Sequence, residues 1–182
     1  MTRRFLAGAE GWDHGVWQGV LYPEDLPADW RLAYYALRFD VVMLTWSQVR
    51  SVSVSTLIAW AADTSEDFRF IIRCGQQAAL RELGSAQDAL GCRLAGVLLD
   101  ADPVATGRLA QSGHALHAID GTPAPGRVLL VPPLDIRARA NWLTAQLAQC
   151  PCNEPVYGLV PGPSPALQAL AELSNLIELV GV

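Results

Sequence analysis

The feature that most constrains this chain is a series of short, almost continuously apolar runs with helical patterns between them. Such runs are typical of strands covered on both faces, because polar and apolar residues alternate only where one face meets water. Strands that alternate with helices favour a parallel sheet surrounded by helices. The predicted strands are Phe5–Ala9, Val41–Thr45, Phe68–Arg73, Ala95–Asp100, Ala115–Asp120, Val128–Pro132, Val156–Val160 and Ile177–Val180. The predicted helices are Ala28–Arg38, Ser55–Ala62, Gln76–Leu90, Pro103–Gln111, Ile136–Gln149 and Pro165–Leu173.

This pattern predicts an α/β fold, a reduced TIM-type (β/α) barrel of about eight mostly parallel strands, as one domain over residues 1–182. Spread over eight strands, the 182 residues leave about 23 per strand–helix unit, against about 31 in a barrel of roughly 250 residues. The segment Gly121–Gly126 reads Gly-Thr-Pro-Ala-Pro-Gly and cannot be a helix. Strands five and six therefore lack a covering helix or are not joined in the usual way. Because the last apolar run ends just before Val182, no closing helix is expected after it.

The composition excludes several classes of protein. Hydrophobic residues make up 51% of the chain and charged residues 17%, which indicates a packed globule rather than a disordered chain. All 13 basic residues are Arg, so a Schiff-base lysine, a pyridoxal-phosphate attachment and the lysine of a P-loop are excluded. A net charge of −5 argues against nucleic acid as a partner. We expect no cofactor.

Location and assembly follow from similar arguments. No apolar run reaches the roughly 20 residues of a membrane span, and we expect a cytoplasmic protein without a membrane partner. The outward-facing apolar groups of Val128–Val131 and Ile177–Val180 have no predicted helix to cover them. Because large exposed apolar patches are rare on soluble monomers, we expect a homo-oligomer that associates through this side.

Spaced Gly, Trp and Pro positions near the amino terminus resemble a known family. The positions are Gly8-Ala9-Glu10-Gly11-Trp12, Trp17-Gln18-Gly19, Leu21-Tyr22-Pro23, Leu26-Pro27, Trp30, Tyr34-Tyr35-Ala36 and Phe39-Asp40, followed by Thr56, Trp60, Thr64 and Asp67-Phe68-Arg69-Phe70. They are similar to the YecE-like family, the domain of unknown function 72, whose members typically begin G-T-S-G-W, W-x-G and F-Y-P. The resemblance covers about residues 7–73 and implies a TIM-type barrel. It implies no reaction.

One strand departs from the family pattern. The second strand of the family usually reads E-x-N-S-T-F-Y, whereas this chain has Met43 in place of the acid and Thr45 in place of the amide. Arg73 stands where the family often has Lys. Met cannot exchange a proton, so the resemblance implies that acid–base chemistry at these positions is lost, and whether the protein is an enzyme stays open.

Barrel enzymes place their working residues at the carboxyl ends of strands and in the loops that follow. This rule selects candidates for a site that binds a small anionic or sugar-like ligand, because Arg offers a fork for anions and Trp a stacking face. We also expect the Gly11–Tyr22 loop to line the mouth of the barrel. The candidate ligand-binding residues are Glu10, Trp12, His14, Trp17, Arg73 and Asp100.

Structural roles compete with these assignments. Glu10 and Arg73 can pair with each other, and Trp12 can plug the end of the barrel. The alternative function is a non-catalytic scaffold or interaction module whose barrel mouth is filled by Trp46 and other bulky groups. No metal site is expected: His114 and His117 are three apart on a strand and placed at its far end, so they cannot bind one ion together.

Overall fold

The computed structural model describes residues 5–75, 83–99, 114–117, 123–150, 154–162 and 167–180. Within these residues seven strands form a closed barrel in chain order. They are β1 (Phe5–Glu10), β2 (Val41–Thr45), β3 (Arg69–Cys74), β4 (Leu94–Leu99), β5 (His114–His117), β6 (Pro123–Leu130) and β7 (Val156–Val160). The described α-helices are α1 (Arg31–Ala36), α2 (Trp46–Ser51), α3 (Val54–Ala62), α4 (Gly84–Leu90), α5 (Ile136–Leu147) and α6 (Leu167–Val180). The predicted helix Pro103–Gln111 lies outside the described residues.

The predicted eighth strand, Ile177–Val180, is wrong, because these residues belong to helix α6. Leu170, Leu173 and Leu176 recur along one side of this helix and are all buried, which is the periodicity of a helix packed on a sheet. The expectation that no helix follows the last strand is therefore also wrong. The barrel closes instead through parallel pairing of β1 with β7, from Phe5–Val156 to Ala9–Val160.

The fifth strand departs from parallel order, and the connection between it and the sixth strand is too short for a parallel crossover. Strand β5 pairs antiparallel with both β4 and β6. Strand β6 starts at Pro123, five residues before its predicted start, and contains Gly126 at a φ of 114°. Since β5 runs against its neighbours, its beginning lies toward the carboxyl ends of the other strands, and the predicted position of His114 at the far end is wrong.

Apolar side chains fill the inside of the barrel. They come from alternate positions of the strands, as expected where every second side chain points inward. The buried residues of this interior cluster are Leu6, Val41, Met43, Ile71, Leu98, Leu116, Val128, Tyr157 and Leu159. A second, larger cluster contains the outward-facing strand residues and the apolar faces of the helices.

The outer face predicted to be bare on β6 is covered. Leu129 and Val131 belong to the outer cluster and are buried, and Ile177 lies in a helix. The reason given for a homo-oligomer is therefore wrong, and self-association itself stays a prediction.

Strands β1 and β2 are joined at one point through a tyrosine. The hydroxyl of Tyr35, on α1, accepts a hydrogen bond of 2.8 Å from the Ala9 amide and donates one of 3.0 Å to the Val41 carbonyl. A Cβ added at the neighbouring Gly8 would lie 1.7 Å from the Val41 oxygen. Only glycine permits this approach of the two backbones. Burial raises the pKa of the Tyr35 hydroxyl far above its usual range, so the hydroxyl keeps the proton that it donates.

Candidate functional site

The carboxyl end of the barrel interior carries an ion pair. Glu10 is the last residue of β1 and Arg73 lies near the end of β3, with 3.8 Å between Glu10 Oε2 and Arg73 Nη1. Glu10 Oε2 also accepts a hydrogen bond of 2.8 Å from the amide of Gly162, which follows β7. The structural role considered for these two residues is thus the one observed. The charge of Arg73 stands opposite a carboxylate, which reduces the attraction that it offers to an anion.

The loop after β1 turns outward from this ion pair. Trp12 is buried and meets Trp60 of α3 edge to face, with ring centroids 4.8 Å apart and planes at 87°. Its place in the outer cluster shows that it does not plug the barrel. Trp17 is 1% exposed and stacks on Tyr35 at 6.1 Å, so its ring belongs to the core.

A cavity of about 330 Å³ lies between this loop and helices α1, α2 and α3. Its size is at the small end of the range of about 300–1,000 Å³ that ligand sites occupy. Trp12 and His14 line it, whereas Trp17, Glu10 and Arg73 do not. The lining residues are Gly11, Trp12, Asp13, His14, Ala28, Asp29, Leu32, Leu44, Gln48, Ser51, Val52 and Trp60.

The first residues of the Gly11–Tyr22 loop line a cavity, but this cavity is not the mouth of the barrel, where the loop was expected. Gly11, Trp12, Asp13 and His14 follow the carboxyl end of β1 and form one wall of the cavity. This cavity opens beside the barrel rather than into its interior, because the barrel wall contributes only Leu44, a residue of the outer cluster.

Arg31 anchors the outer part of this loop to α1. Its guanidinium forms an ion pair with Asp13 and donates a hydrogen bond of 2.6 Å to Gln18 Oε1. The amide nitrogen of Gln18 in turn donates to the carbonyls of Pro23 and Glu24, at 2.6 and 2.7 Å. The loop is therefore fixed at several points around the cavity.

A hydrogen bond from Tyr22 also fixes the Gly11–Tyr22 loop. The Tyr22 hydroxyl donates to the Trp12 carbonyl. Burial raises the pKa of Tyr22 well above its usual range, the carboxylate of Asp13 raises it further, and the guanidinium of Arg31 opposes both. The hydroxyl is consequently protonated at neutral pH and able to donate.

Thr45 and Gln48 form the amino-terminal cap of α2. The Thr45 hydroxyl accepts from the Gln48 amide at 3.3 Å, and Gln48 Oε1 accepts from the Thr45 amide at 2.8 Å. This reciprocal arrangement is a capping box, and it follows directly after β2. Met43, at the other altered position of this strand, is fully buried among the apolar residues of the barrel interior.

Sequence reasoning missed several residues of the cavity. Gln48 had a usable signal, because Thr45-x-x-Gln48 after a predicted strand is a capping-box pattern that places the Gln at a strand end. Asp29 had none, and Trp60 was noted only as a family-like position, because both come from helical segments whose position over the strand ends is set by tertiary packing.

Two further residues named from the sequence are Asp100 and Trp46. Asp100 lies outside the described residues. Trp46 does not fill the barrel: it packs against the outer cluster, with the Arg50 guanidinium 6.0 Å from its ring centroid. The described residues contain no group of three or more His, Cys, Asp or Glu side chains arranged to hold a metal ion. Among the helices described, none has the length and apolar character needed to cross a membrane.

Comparison with known proteins bears on the fold and the family. No curated protein matches the chain. A crystal structure of a DUF72 family protein from Thermotoga maritima MSB8 is similar over 97% of this chain and 100% of that chain, with 12% identity and a TM-score of 0.57. Another, from Enterococcus faecalis V583, is similar over 96% and 95%, with 8% identity and a TM-score of 0.55. At such identities the likeness shows a shared fold alone.

The family is identified by a match of the sequence to a family profile. A family profile described as "Protein of unknown function DUF72" matches residues 6–105, more than half of the chain, and confirms the resemblance seen in the Gly, Trp and Pro positions. The chain belongs to the DUF72 family of proteins of unknown function.

Proposed function

We propose that this protein binds a small, uncharged, sugar-like molecule in the cavity beside the carboxyl ends of β1 and β2. The proposal takes the seven-strand barrel as a reduced TIM-type barrel that forms one domain. The observation that carries it is the chemistry of the lining, which combines two indoles with several short polar side chains around a space of about 330 Å³.

The two indoles supply the apolar surface that the ring of a sugar needs. Trp12 and Trp60 stand nearly perpendicular to each other, so they form adjoining walls at one corner of the cavity. Small-molecule sites are typically lined by aromatic and apolar side chains with a few polar groups that fix orientation. His14, Gln48 and Ser51 are such groups here.

The charges around the cavity favour an uncharged ligand over an anionic one. The described lining residues include two carboxylates, Asp13 and Asp29, and no arginine. Arg73, the cation that motivated an anionic ligand, lies at the barrel end opposite Glu10. Because Asp13 is paired with Arg31, a phosphate or carboxylate in the cavity would face the charge of Asp29 and would meet no arginine among the described lining residues.

Loss of acid–base chemistry at the second strand is part of the proposal. Met43 occupies a fully buried apolar position, and the hydroxyl of Thr45 is engaged in capping α2. Neither residue offers a proton-transferring group to a ligand, and general acid–base catalysis requires such a group within hydrogen-bond reach.

A specific observation also supports the alternative of an interaction module. The described strands fill the interior of the barrel with a cluster of apolar side chains, as this alternative expects. Val54 and Ile58 are exposed and four residues apart on α3, so they share one face of that helix. The binding experiment below separates this alternative from the first proposal.

The proposal is tested by ligand-observed NMR and calorimetry with a defined panel. The panel contains D-glucose, D-galactose and D-mannose as neutral sugars, and inorganic phosphate and citrate as anions. We expect saturation transfer to at least one neutral sugar and none to citrate, and in calorimetry no heat of binding with inorganic phosphate. Phosphate binding that is lost in Arg73→Ala would establish the anionic alternative, and an absence of sugar binding to the unmodified protein would reject the proposal.

Matched tryptophan variants locate the binding. Trp60→Ala removes one wall of the cavity, whereas Trp30→Ala removes an exposed indole that does not line it. Sugar binding is expected to disappear in the first variant and to persist in the second. Trp60→Phe preserves an aromatic face and provides a check that the loss does not come from misfolding.

A further inference from the structure

Asp13 and Asp29 bring two carboxylates to the lining of the cavity. Asp13 forms an ion pair with the guanidinium of Arg31, whereas Asp29 forms no ion pair with another described residue. The side chain of Asp13 is 57% exposed although it is paired, so its carboxylate is accessible to a ligand. The negative charge that the cavity presents to a ligand therefore depends on whether Asp13 keeps its partner.

Arg31 is fixed next to Asp13 without lining the cavity. It is the first residue of α1, and its side chain is only 19% exposed. Besides the pair with Asp13, its guanidinium donates a hydrogen bond of 2.6 Å to Gln18 Oε1 and lies 5.8 Å from the ring centroid of Tyr22. A planar guanidinium with five donor hydrogens makes these contacts at the same time. Arg31 therefore affects a ligand through Asp13 and not by direct contact.

The two charges of this pair act in opposite directions on their surroundings. Tyr22 shows the effect: burial raises its pKa, the carboxylate of Asp13 raises it further, and the guanidinium of Arg31 lowers it. A charged group in the cavity would likewise feel Asp13 and Arg31 with opposite signs. Without Arg31, the carboxylate of Asp13 would add its uncompensated charge to that of Asp29.

We infer that Arg31 is a positioning residue that sets the charge selectivity of the cavity, because its pairing with Asp13 keeps the site suited to an uncharged sugar. Without Arg31 the cavity presents two carboxylates and shifts its preference toward a sugar that carries an amine. This inference rests on the proposed function, and it extends that proposal from the class of ligand to the residue that maintains the selectivity.

Arg31→Met tests the inference through a ratio of two affinities. The ligands are the panel sugar that binds and its 2-amino-2-deoxy derivative (D-glucosamine, D-galactosamine or D-mannosamine), at about pH 7, where such an amine is mostly protonated. At low ionic strength the affinity of the amino sugar relative to the neutral sugar should rise about threefold or more, and at about 1 M salt the rise should be smaller because charges are screened. A loosened loop would weaken both sugars alike and leave the ratio unchanged.

Two further variants separate the charge of Arg31 from its geometry. Arg31→Lys retains the positive charge and loses the planar fork, so the ratio should stay within about twofold of the unmodified protein even where both affinities fall. Arg31→Met combined with Asp13→Asn removes the uncompensated carboxylate and should restore the ratio. Asp13→Asn alone leaves Arg31 without a countercharge and should lower the ratio. Because the side chain of Asp13 is exposed, this variant tests the inference even if Arg31→Met does not fold.

Arg93→Met is the matched control. Arg93 donates from Nε to the Ser65 carbonyl at 3.1 Å and from Nη2 to the Thr64 carbonyl at 3.2 Å, so its loss also removes a guanidinium that joins two segments of the chain. None of these three residues lines the cavity. The control makes the same change in net charge as Arg31→Met, and it should leave the ratio of the two affinities unchanged.

The outcomes separate this inference from the proposed function. A ratio that is unchanged in Arg31→Met, or that changes as much in Arg93→Met, would overturn the inference. The proposed function would then stand, as long as the neutral sugar binds the unmodified protein and is lost in Trp60→Ala. A double variant that fails to restore the ratio would overturn the role of Asp13. If no panel sugar binds the unmodified protein, the proposed function fails and this inference fails with it.

Discussion

Tyr35→Phe tests whether one hydroxyl joins the first two strands of the barrel. The substitution removes the oxygen that accepts from the Ala9 amide and donates to the Val41 carbonyl, and it retains the ring. Ring contacts with Trp17 and Phe39, at centroid distances of 6.1 and 4.8 Å, should therefore persist. Any loss of stability comes from the two backbone groups left without their partner.

The magnitude follows from burial. Ala9, Tyr35 and Val41 are all 0% exposed, so water does not replace the hydroxyl. An unsatisfied buried amide costs about 1–3 kcal/mol, and a carbonyl with a second lone pair costs less. We expect the free energy of unfolding to fall by about 2–4 kcal/mol, which is a large part of the 5–15 kcal/mol typical of a folded domain.

Urea unfolding followed by tryptophan fluorescence measures this change as a shift of the midpoint at constant slope. Tyr34→Phe is the control, because Tyr34 is only half-buried and its hydroxyl does not join the two strands. It should cost less than about 0.5 kcal/mol, as substitutions away from buried networks usually do. A cost for Tyr35→Phe no greater than that for Tyr34→Phe would refute the reasoning.

Three further predictions concern stability. Gly8→Ala should prevent stable folding, because its Cβ would lie 1.7 Å from the Val41 oxygen. Its control is Gly84→Ala on α4, where a Cβ would meet open space, and this variant should raise the free energy of unfolding by about 0.5–1 kcal/mol in the same urea assay. Because burial raises the pKa of Tyr35 above the value of about 10 that it has in the unfolded chain, the contribution of Tyr35 to stability should be complete below about pH 10 and be lost as the pH rises above it. In the urea assay the free energy of unfolding should therefore fall above about pH 10, with a shallower fall in Tyr35→Phe. Glu172→Gln leaves the buried guanidinium of Arg139 without its ion pair and should cost about 3–5 kcal/mol, while Arg139→Met combined with Glu172→Leu should recover most of that loss in thermal unfolding.

The strands that sequence predicted best are those covered on both faces. Strands β2 and β7 have the predicted bounds, because each is an apolar run of five residues flanked by clear breaks. The error at Ile177–Val180 arose because a short apolar run at the end of a helix has the same composition as a buried strand. The periodic burial of Leu170, Leu173 and Leu176 distinguishes the helix from a strand. This burial depends on the surface against which the helix packs, and the sequence alone does not identify that surface.

The candidate site was predicted in part. The rule that barrel sites follow the carboxyl ends of strands found Trp12 and His14, and both line the cavity. The same rule chose Trp17, which the structure buries against Tyr35 because the loop folds back onto α1. It did not find Trp60, since a rule based on strand ends contains no information about which helix face covers them.

The position of the cavity beside the barrel follows from how the barrel is filled. A barrel with fewer strands has a narrower interior, and here Met43, Ile71 and Tyr157 are among the apolar residues that occupy it. The Glu10–Arg73 pair and the Gly162 amide lie at its carboxyl end. A polar residue at position 43 would point into this apolar interior without water, and burying such a group without a partner is costly. Under the proposed function, the ligand therefore meets the two indoles in the space between the β1 loop and helices α1–α3, and not in the barrel interior.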